Sequence, residues 1–359
     1  MKPSTTSNGA GPYKLERWEK GVELVVTRFE DYWGPKPAMQ KGIYKVVEEF
    51  TTRKLMLLQG DADAATVDPV HFDEMEKESG LLIYKDLASL SNYGWNMNMK
   101  INATDNPYLY SGKLDGEGIP PDFFSDKNLR LAFLHCWDEE TYLADVQAGL
   151  AIDPITPIPV GMPYKNDALK NHPFDLQKAE EYFKKAWKGQ VWEKGFKMDV
   201  TYNSGNESRE LGLKLLAEEV MKVNPKFKIT VRGVEWAQFI NAQSQRRLPL
   251  FFIGWGPDYP DPDNYVVPYM HSEGTYAGRM GYNNPEVDRL IMEGAYATES
   301  ADRQKAYYAL QDIWLNDAMG MMTHQPLSRR YFRDWVKGYY FNPMSSSLFD
   351  LLRFYTKEY

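Results

Sequence analysis

A single cysteine, Cys136, among 359 residues removes any intramolecular disulfide and any paired-thiol zinc or redox site. Positive charge is also short: 42 Lys and Arg against 50 Asp and Glu leave the chain at −8. Such a chain lacks the electrostatic footprint of a nucleic-acid binder or of a protein that sits on anionic lipid. No stretch approaches the ~18 uninterrupted apolar residues of a membrane-crossing helix. The polar start, Met1 to Gly9, holds no apolar core of a secretory signal. It fits a cytoplasmic protein, one whose leader has been removed, or a piece of something longer. The five histidines (His71, His135, His172, His271 and His324) show no i, i+4 pair and no HExxH, so surface or core roles outweigh catalysis. No GxSxG elbow for a serine nucleophile occurs. Gly254-Trp255-Gly256 lacks the third glycine and the Lys-Ser/Thr of a phosphate loop.

What is present is ample material for a core. Apolar residues make up 43% and aromatics 14% of the chain, with 24 Tyr and 10 Trp. The length sets a prior of about two domains. Strand-like and helix-like patterns alternate, which predicts α/β architecture with mixed sheets. Strands are expected over 13–29 around a turn at Lys20-Gly21, and over 43–50, 62–67, 81–84 and 91–99. Further strands are expected over 196–202, 229–234, 250–254, 319–324 and 335–340. Helices are expected over 52–59, with Gly60 as the stop, and over 71–79, 127–136, 139–148 and 176–186. Four more fall over 207–223, 236–246, 285–297 and 302–318. Ser125, Asp138 and Asp175 are the expected N-caps.

The richest feature is the loop Trp255-Gly256-Pro257-Asp258-Tyr259-Pro260-Asp261-Pro262-Asp263-Asn264. Asp258, Asp261 and Asp263 do not keep the spacing of a calcium loop, and prolines interrupt them. The bland reading is a rigid, solvated Asp/Pro turn. The functional reading starts from the apolar run Leu250–Ile253, which suggests a buried strand. Such a strand delivers Trp255 and Asp258 to the edge of a cleft, where open α/β sheets bind ligands. A carboxylate there can hold a ligand ammonium by a charge-assisted bond, and Trp and Tyr faces add cation–π and stacking contacts.

Several ordered segments carry a resemblance. Gly9-Ala10-Gly11-Pro12-Tyr13-Lys14-Leu15 is followed by Arg28-Phe29-Glu30-Asp31-Tyr32-Trp33-Gly34 and then by Leu57-Leu58-Gln59-Gly60-Asp61-Ala62-Asp63. Asp126-Lys127-Asn128-Leu129-Arg130-Leu131-Ala132-Phe133 with Trp137-Asp138, the 254–262 loop and Tyr282-Asn283-Asn284-Pro285-Glu286-Val287-Asp288 come next in order. Together they span nearly the whole chain, which resembles the family 5 solute-binding proteins of ABC importers, the dipeptide- and oligopeptide-binding proteins.

The resemblance implies a periplasmic binding protein-like (class II) bilobal α/β fold with mixed sheets. Lobe one would comprise residues 1–95 and 326–359, and lobe two residues 96–325. Crossovers are expected near Tyr93 to Asn98 and at His324-Gln325. Family chains begin well before the GPYKL segment, so the N-terminal part of lobe one and a small extra domain are expected to be missing. By resemblance the chain is the substrate-binding component of an ABC importer, capturing short peptides for permease transmembrane subunits. Its expected location is the periplasm or the extracellular face, with membrane contact only through the permease or a lost lipid anchor. No cofactor, metal or nucleic acid is implied.

In peptide-binding members the aspartate at the position of Asp258 pairs with the peptide ammonium, and Trp255, with Tyr259 beside it, would line side-chain pockets. Tyr93 and Trp95 sit where the family's hinge strand offers aromatics, and Asn203 lies in a second loop at the cleft. The strand before Trp255 supplies no Arg. Arg209 is the nearest to the 202–208 loop, and how a ligand's C-terminus is held stays open. Rival readings are a binder of a nickel complex, opine or oligosaccharide, a truncated remnant that binds nothing, and a hydrolase using Asp258 with a second carboxylate.

Overall fold

The computed structural model describes residues 9–344 and 352–358. Residues 1–8, 345–351 and 359 of the expected first lobe therefore lie outside the described residues. The chain opens with an antiparallel three-stranded sheet, Tyr13–Glu19 (β1), Glu23–Arg28 (β2) and Lys41–Lys45 (β3). The larger sheet is built from Ala64–Ala65 (β4), Leu81–Ala88 (β5), Asn92–Met97 (β6), Ala151–Ile152 (β7), Phe196–Asn203 (β8), Phe227–Val234 (β9), Leu250–Trp255 (β10) and Gly320–Arg333 (β11). Its strand order is β4-β11-β6-β10-β8-β9, with β5 and β7 also pairing with β11. β8 runs parallel to both β9 and β10, whereas β6 is antiparallel to β10 and β11. The helices that matter below are Phe50–Gln59 (α1), Lys127–His135 (α2), Leu176–Lys185 (α3), Glu207–Val223 (α4), Trp236–Ser244 (α5), Asp263–Met270 (α6), Pro285–Tyr296 (α7) and Ser300–Asn316 (α8).

β10 explains why helices cover both faces of this sheet. Side chains alternate across a strand. Leu250 and Phe252 enter one core with Trp95, Phe133, Val200 and Leu213. Phe251 and Ile253 enter a second core with Phe239, Tyr265, Ile291 and Trp314. Burying each such side chain contributes roughly 1.5–3 kcal/mol. A strand with no polar face is stable only when both sides are dry. Where β10 ends, glycine is obligatory: a Cβ on Gly254 would lie 2.2 Å from the ring of Tyr93, its register partner on β6.

β11 changes partners along its length. Gly320 to His324 pair with β6, whereas Leu327 to Arg333 pair with β5. The change falls at Gln325-Pro326, which pair with β7. There Gln325 donates to the Ser89 carbonyl at 2.8 Å, and the Ser89 N–H donates to the Pro326 carbonyl at 3.1 Å. Two small apolar clusters lie on the β4–β5 side: Phe50, Leu57, Phe72, Met75 and Tyr331, then Phe332, Val336 and Tyr355.

Some local expectations shift. Gly60 caps α1 in the left-handed region at φ 87°, as its position predicts. The helix expected over 71–79 shrinks to a turn and the single-turn helix Phe72–Met75. The one expected over 139–148 is a single turn followed by the π-helical segment Tyr142–Val146. Asp126, not Ser125, caps α2, because its carboxylate reaches the Asn128 N–H at 2.8 Å and also the Trp187 N–H. α6 was not anticipated, since prolines crowd its approach and Pro268 sits inside it. The strands expected over 319–324 and 335–340 are replaced by one 14-residue strand and the short Val336–Lys337. Proline is tolerated at position 326 of the long strand because its carbonyl alone does the bonding.

Candidate functional site

The carboxyl ends of the parallel strands β8 and β10 lie side by side, and each ends in an expected site residue, Asn203 and Trp255. Trp255 is half-buried and meets Tyr276 edge-on at 5.8 Å and 88°. The Tyr276 hydroxyl donates to the Gly254 carbonyl at 2.8 Å, which fixes this corner. The loop beyond is held at defined points. Asn264 Oδ1 accepts from Trp255 Nε1 at 3.1 Å and from the Asp258 N–H at 3.0 Å. Arg303 Nη2 reaches both oxygens of Asp261, at 2.8 and 2.9 Å. Tyr259 is exposed and gives its hydroxyl to Asp263 at 2.8 Å. Asp261 and Asp263, tied to each other by the Asp263 N–H donating to Asp261 Oδ1 at 3.2 Å, are thus engaged by Arg303 and Tyr259, and Asp258 stands apart from them. Asp258 is exposed, and among the described residues its carboxylate meets no cation.

Arg209 is the residue that sequence reasoning left as merely the nearest arginine. It stands in the first turn of α4, where Asn206 caps the helix by accepting the Arg209 N–H at 3.0 Å. A cation there opposes the helix dipole. That mismatch was the one signal in the sequence. The side chain turns inward and is only 7% exposed. Nη1 donates to Asn203 Oδ1 at 2.6 Å, whereas Nε has no partner among the described residues. The guanidinium lies 5.5 Å from the Tyr93 ring centre and 6.0 Å from that of Phe252. Burial lowers its pKa from the ordinary arginine value, and no carboxylate among the described residues compensates it. An isolated buried cation costs several kcal/mol, roughly. An anion supplied from outside would relieve that cost.

The wall around Arg209 is aromatic. Tyr93 is half-buried and stacks on His324 at 4.9 Å and 12°. Tyr142 and Thr323 hydroxyls lie 3.1 and 3.0 Å from His324 Nδ1. Burial, and then the Arg209 charge, push the His324 imidazole down to about 3, so it is neutral at physiological pH. The buried Tyr269 hydroxyl also has no partner among the described residues. Trp95, expected beside Tyr93, instead lies wholly inside the core, edge-on to Trp137 at 6.2 Å, and offers no surface to a ligand. The structure thus joins Asn203, Arg209 and Tyr93, and, through the Tyr93–Gly254 pairing, Trp255. Asp258 and Tyr259 stand outward on the loop.

The N-terminal region touches the same place. His71 Nε2 lies 2.6 Å from Glu207 Oε2, two residues before Arg209, and His71 stacks on Phe50 at 3.6 Å. The Ser204 hydroxyl donates to Glu48 at 2.9 Å.

Residues 2–277 match the family described as bacterial extracellular solute-binding proteins, family 5. The chain is 26% identical over 355 residues to the "Probable D,D-dipeptide-binding periplasmic protein DdpA" of Escherichia coli (strain K12), covering 96% of this chain and 62% of that one. It is 23% identical over 359 residues to "Heme-binding protein A" of Haemophilus influenzae, covering 97% and 60%. Among solved structures, the dipeptide binding protein from Pseudoalteromonas sp. SM9913 in complex with Met-Leu superposes with a TM-score of 0.80 at 21% identity, over 97% of this chain and 64% of that one. That likeness establishes the periplasmic-binding-protein-like α/β fold. The chain spans about three-fifths of the length of the curated relatives it matches. Among the described residues, no helix is long and apolar enough to cross a membrane.

Proposed function

Because this chain belongs to the family 5 bacterial extracellular solute-binding proteins, we propose that it captures short peptides between two lobes and hands them to the membrane subunits of an ABC importer. Its place is the periplasm or the outer face of the membrane. The observation that carries this reading is a pair of opposite charges, uncompensated among the described residues, beyond the carboxyl ends of two neighbouring strands: Arg209, buried after β8, and Asp258, exposed on the loop after β10. A peptide is a zwitterion whose carboxylate suits Arg209 and whose ammonium suits Asp258. Tyr93, Trp255 and Tyr259 offer apolar faces to its side chains, and Asn203 orients Arg209. Trp95 supports the floor from within the core.

In this reading the lobes are residues 1–95 with 326–359, and residues 96–325, but β6 as a whole pairs with β10 and packs into the second lobe's core, which moves the first crossing back to Ser89. The lobes move about the two strands that pass Ser89 and Gln325-Pro326, in the hinge closure common to such proteins. The His71–Glu207 and Ser204–Glu48 contacts close the cleft on the side of Arg209. Main-chain pairing in strand-like fashion gives affinity with little sequence preference.

Thermal unfolding in the presence of a pool of short free peptides tests the reading. A ligand at ~100 times its dissociation constant stabilises by about 2.7 kcal/mol, so the transition moves up by several degrees. A cooperative transition that stays put with free peptides is the result that removes this function.

A further inference from the structure

Two hydrogen-bond donors converge on one atom behind the Asp258 loop. The Trp255 indole N–H reaches Asn264 Oδ1 at 3.1 Å, and the Asp258 backbone N–H reaches the same oxygen at 3.0 Å. Asn264 is only 8% exposed, and its place in the first turn of α6 anchors it to the second core through Tyr265 and Val266. A carbonyl-type oxygen has two lone pairs, so these donors saturate it. Trp255 is braced from its other side by Tyr276, whereas Asp258 itself points to solvent.

We propose that Asn264 is a positioning residue for ligand recognition: its one amide oxygen fixes the spacing between the Trp255 face and the Asp258 carboxylate, so that a peptide's ammonium and its first side chain are read as a unit. This rests on the peptide reading of the site. The other restraints on the loop lie farther along it. Arg303 holds Asp261, and Tyr259 holds Asp263, so both act beyond Asp258. Among the described residues, the shared oxygen is the side-chain hydrogen-bond link that ties Asp258 back to the strand end that carries Trp255. The requirement is for an acceptor at that point, not for an amide as such. Aspartate meets it and alanine does not.

The test compares Asn264→Ala and Asn264→Asp with the wild-type protein. The first readout needs no ligand: the NMR shift of the Trp255 indole proton and the exchange rate of the Asp258 amide. Asn264→Ala moves the first and accelerates the second, and Asn264→Asp restores both. The second readout is the ratio of affinities for a free dipeptide and its N-acetylated form. Asn264→Ala lowers that ratio by about fivefold or more, whereas Asn264→Asp keeps it within about twofold. An alanine variant with an unmoved indole proton and a protected Asp258 amide overturns the proposal. So does one that discriminates the two ligands as well as wild type does. A wild-type protein that does not discriminate them overturns the peptide reading, and the proposal with it. The wild-type measurement therefore tells the two failures apart.

Discussion

Asp258→Asn weakens binding of a free short peptide by roughly 1.5–3 kcal/mol, about 10- to 150-fold, and leaves the N-acetylated peptide unaffected. The substitution keeps the shape of the side chain and removes its charge. The magnitude decides more than the identity of the residue. Asp258 is exposed without ligand. If the cleft stayed open around the bound peptide, its ion pair with the ammonium would be worth only ~0–1 kcal/mol, as surface pairs are. A loss in the larger range requires that closure of the lobes excludes water from the pair. Isothermal titration of both ligands against both proteins gives the number. Equal affinity of Asp258→Asn for the free peptide would remove Asp258 from the site.

Arg209→Met raises the stability of the ligand-free protein by about 1–3 kcal/mol and costs about 2–5 kcal/mol of affinity for a ligand with a free carboxylate. The two effects oppose each other because they have one source. The guanidinium is buried and, among the described residues, has one hydrogen bond, to Asn203, and an unpartnered Nε. Replacing a buried charge by an apolar side chain of similar length removes the desolvation penalty. Loss of the charge-assisted Asn203 bond returns about 1.5–3 kcal/mol of a penalty of several kcal/mol, which leaves the net gain. In the complex the same charge is compensated by the ligand. Urea unfolding reports the first effect and calorimetry the second. A destabilised Arg209→Met would mean that the guanidinium supports the fold rather than the ligand. Sites that hold charge ready for a partner commonly show this trade between stability and activity.

Much of this site was legible because local chemistry announces it. The run Leu250–Ile253 has no polar face, so a strand buried on both sides was the sound reading, and its end had to open on a polar loop. The helix Glu207–Val223 carries its own cap, Asn206, and its bounds match the expected ones. What could not be read is what tertiary packing decides. Arg209 looks like a surface residue of a helix, since an inward cation in a first turn gains nothing locally. Its burial follows from α4 packing against the sheet end, where Tyr93 and Phe252 lie beneath it. Asn264 is hidden in a run of prolines and aspartates, and only α6 gives it a fixed place. Trp95 and Tyr93 share a strand and a parity, yet one is core and the other faces Arg209, because Trp137 covers only the first. The long strand β11 was expected to stop at 324, yet it runs on through Pro326, whose missing N–H is unneeded.

The central claim is that one cleft reads both ends of a zwitterion. Calorimetric titration with a single dipeptide in four forms tests it most directly: free, N-acetylated, C-amidated and doubly blocked. Each single block is expected to cost roughly 1.5 kcal/mol or more, and the doubly blocked form to bind at least about 100-fold more weakly than the free one. Four forms that bind with the same affinity, or a free dipeptide that gives no heat and no shift in unfolding, would contradict the account.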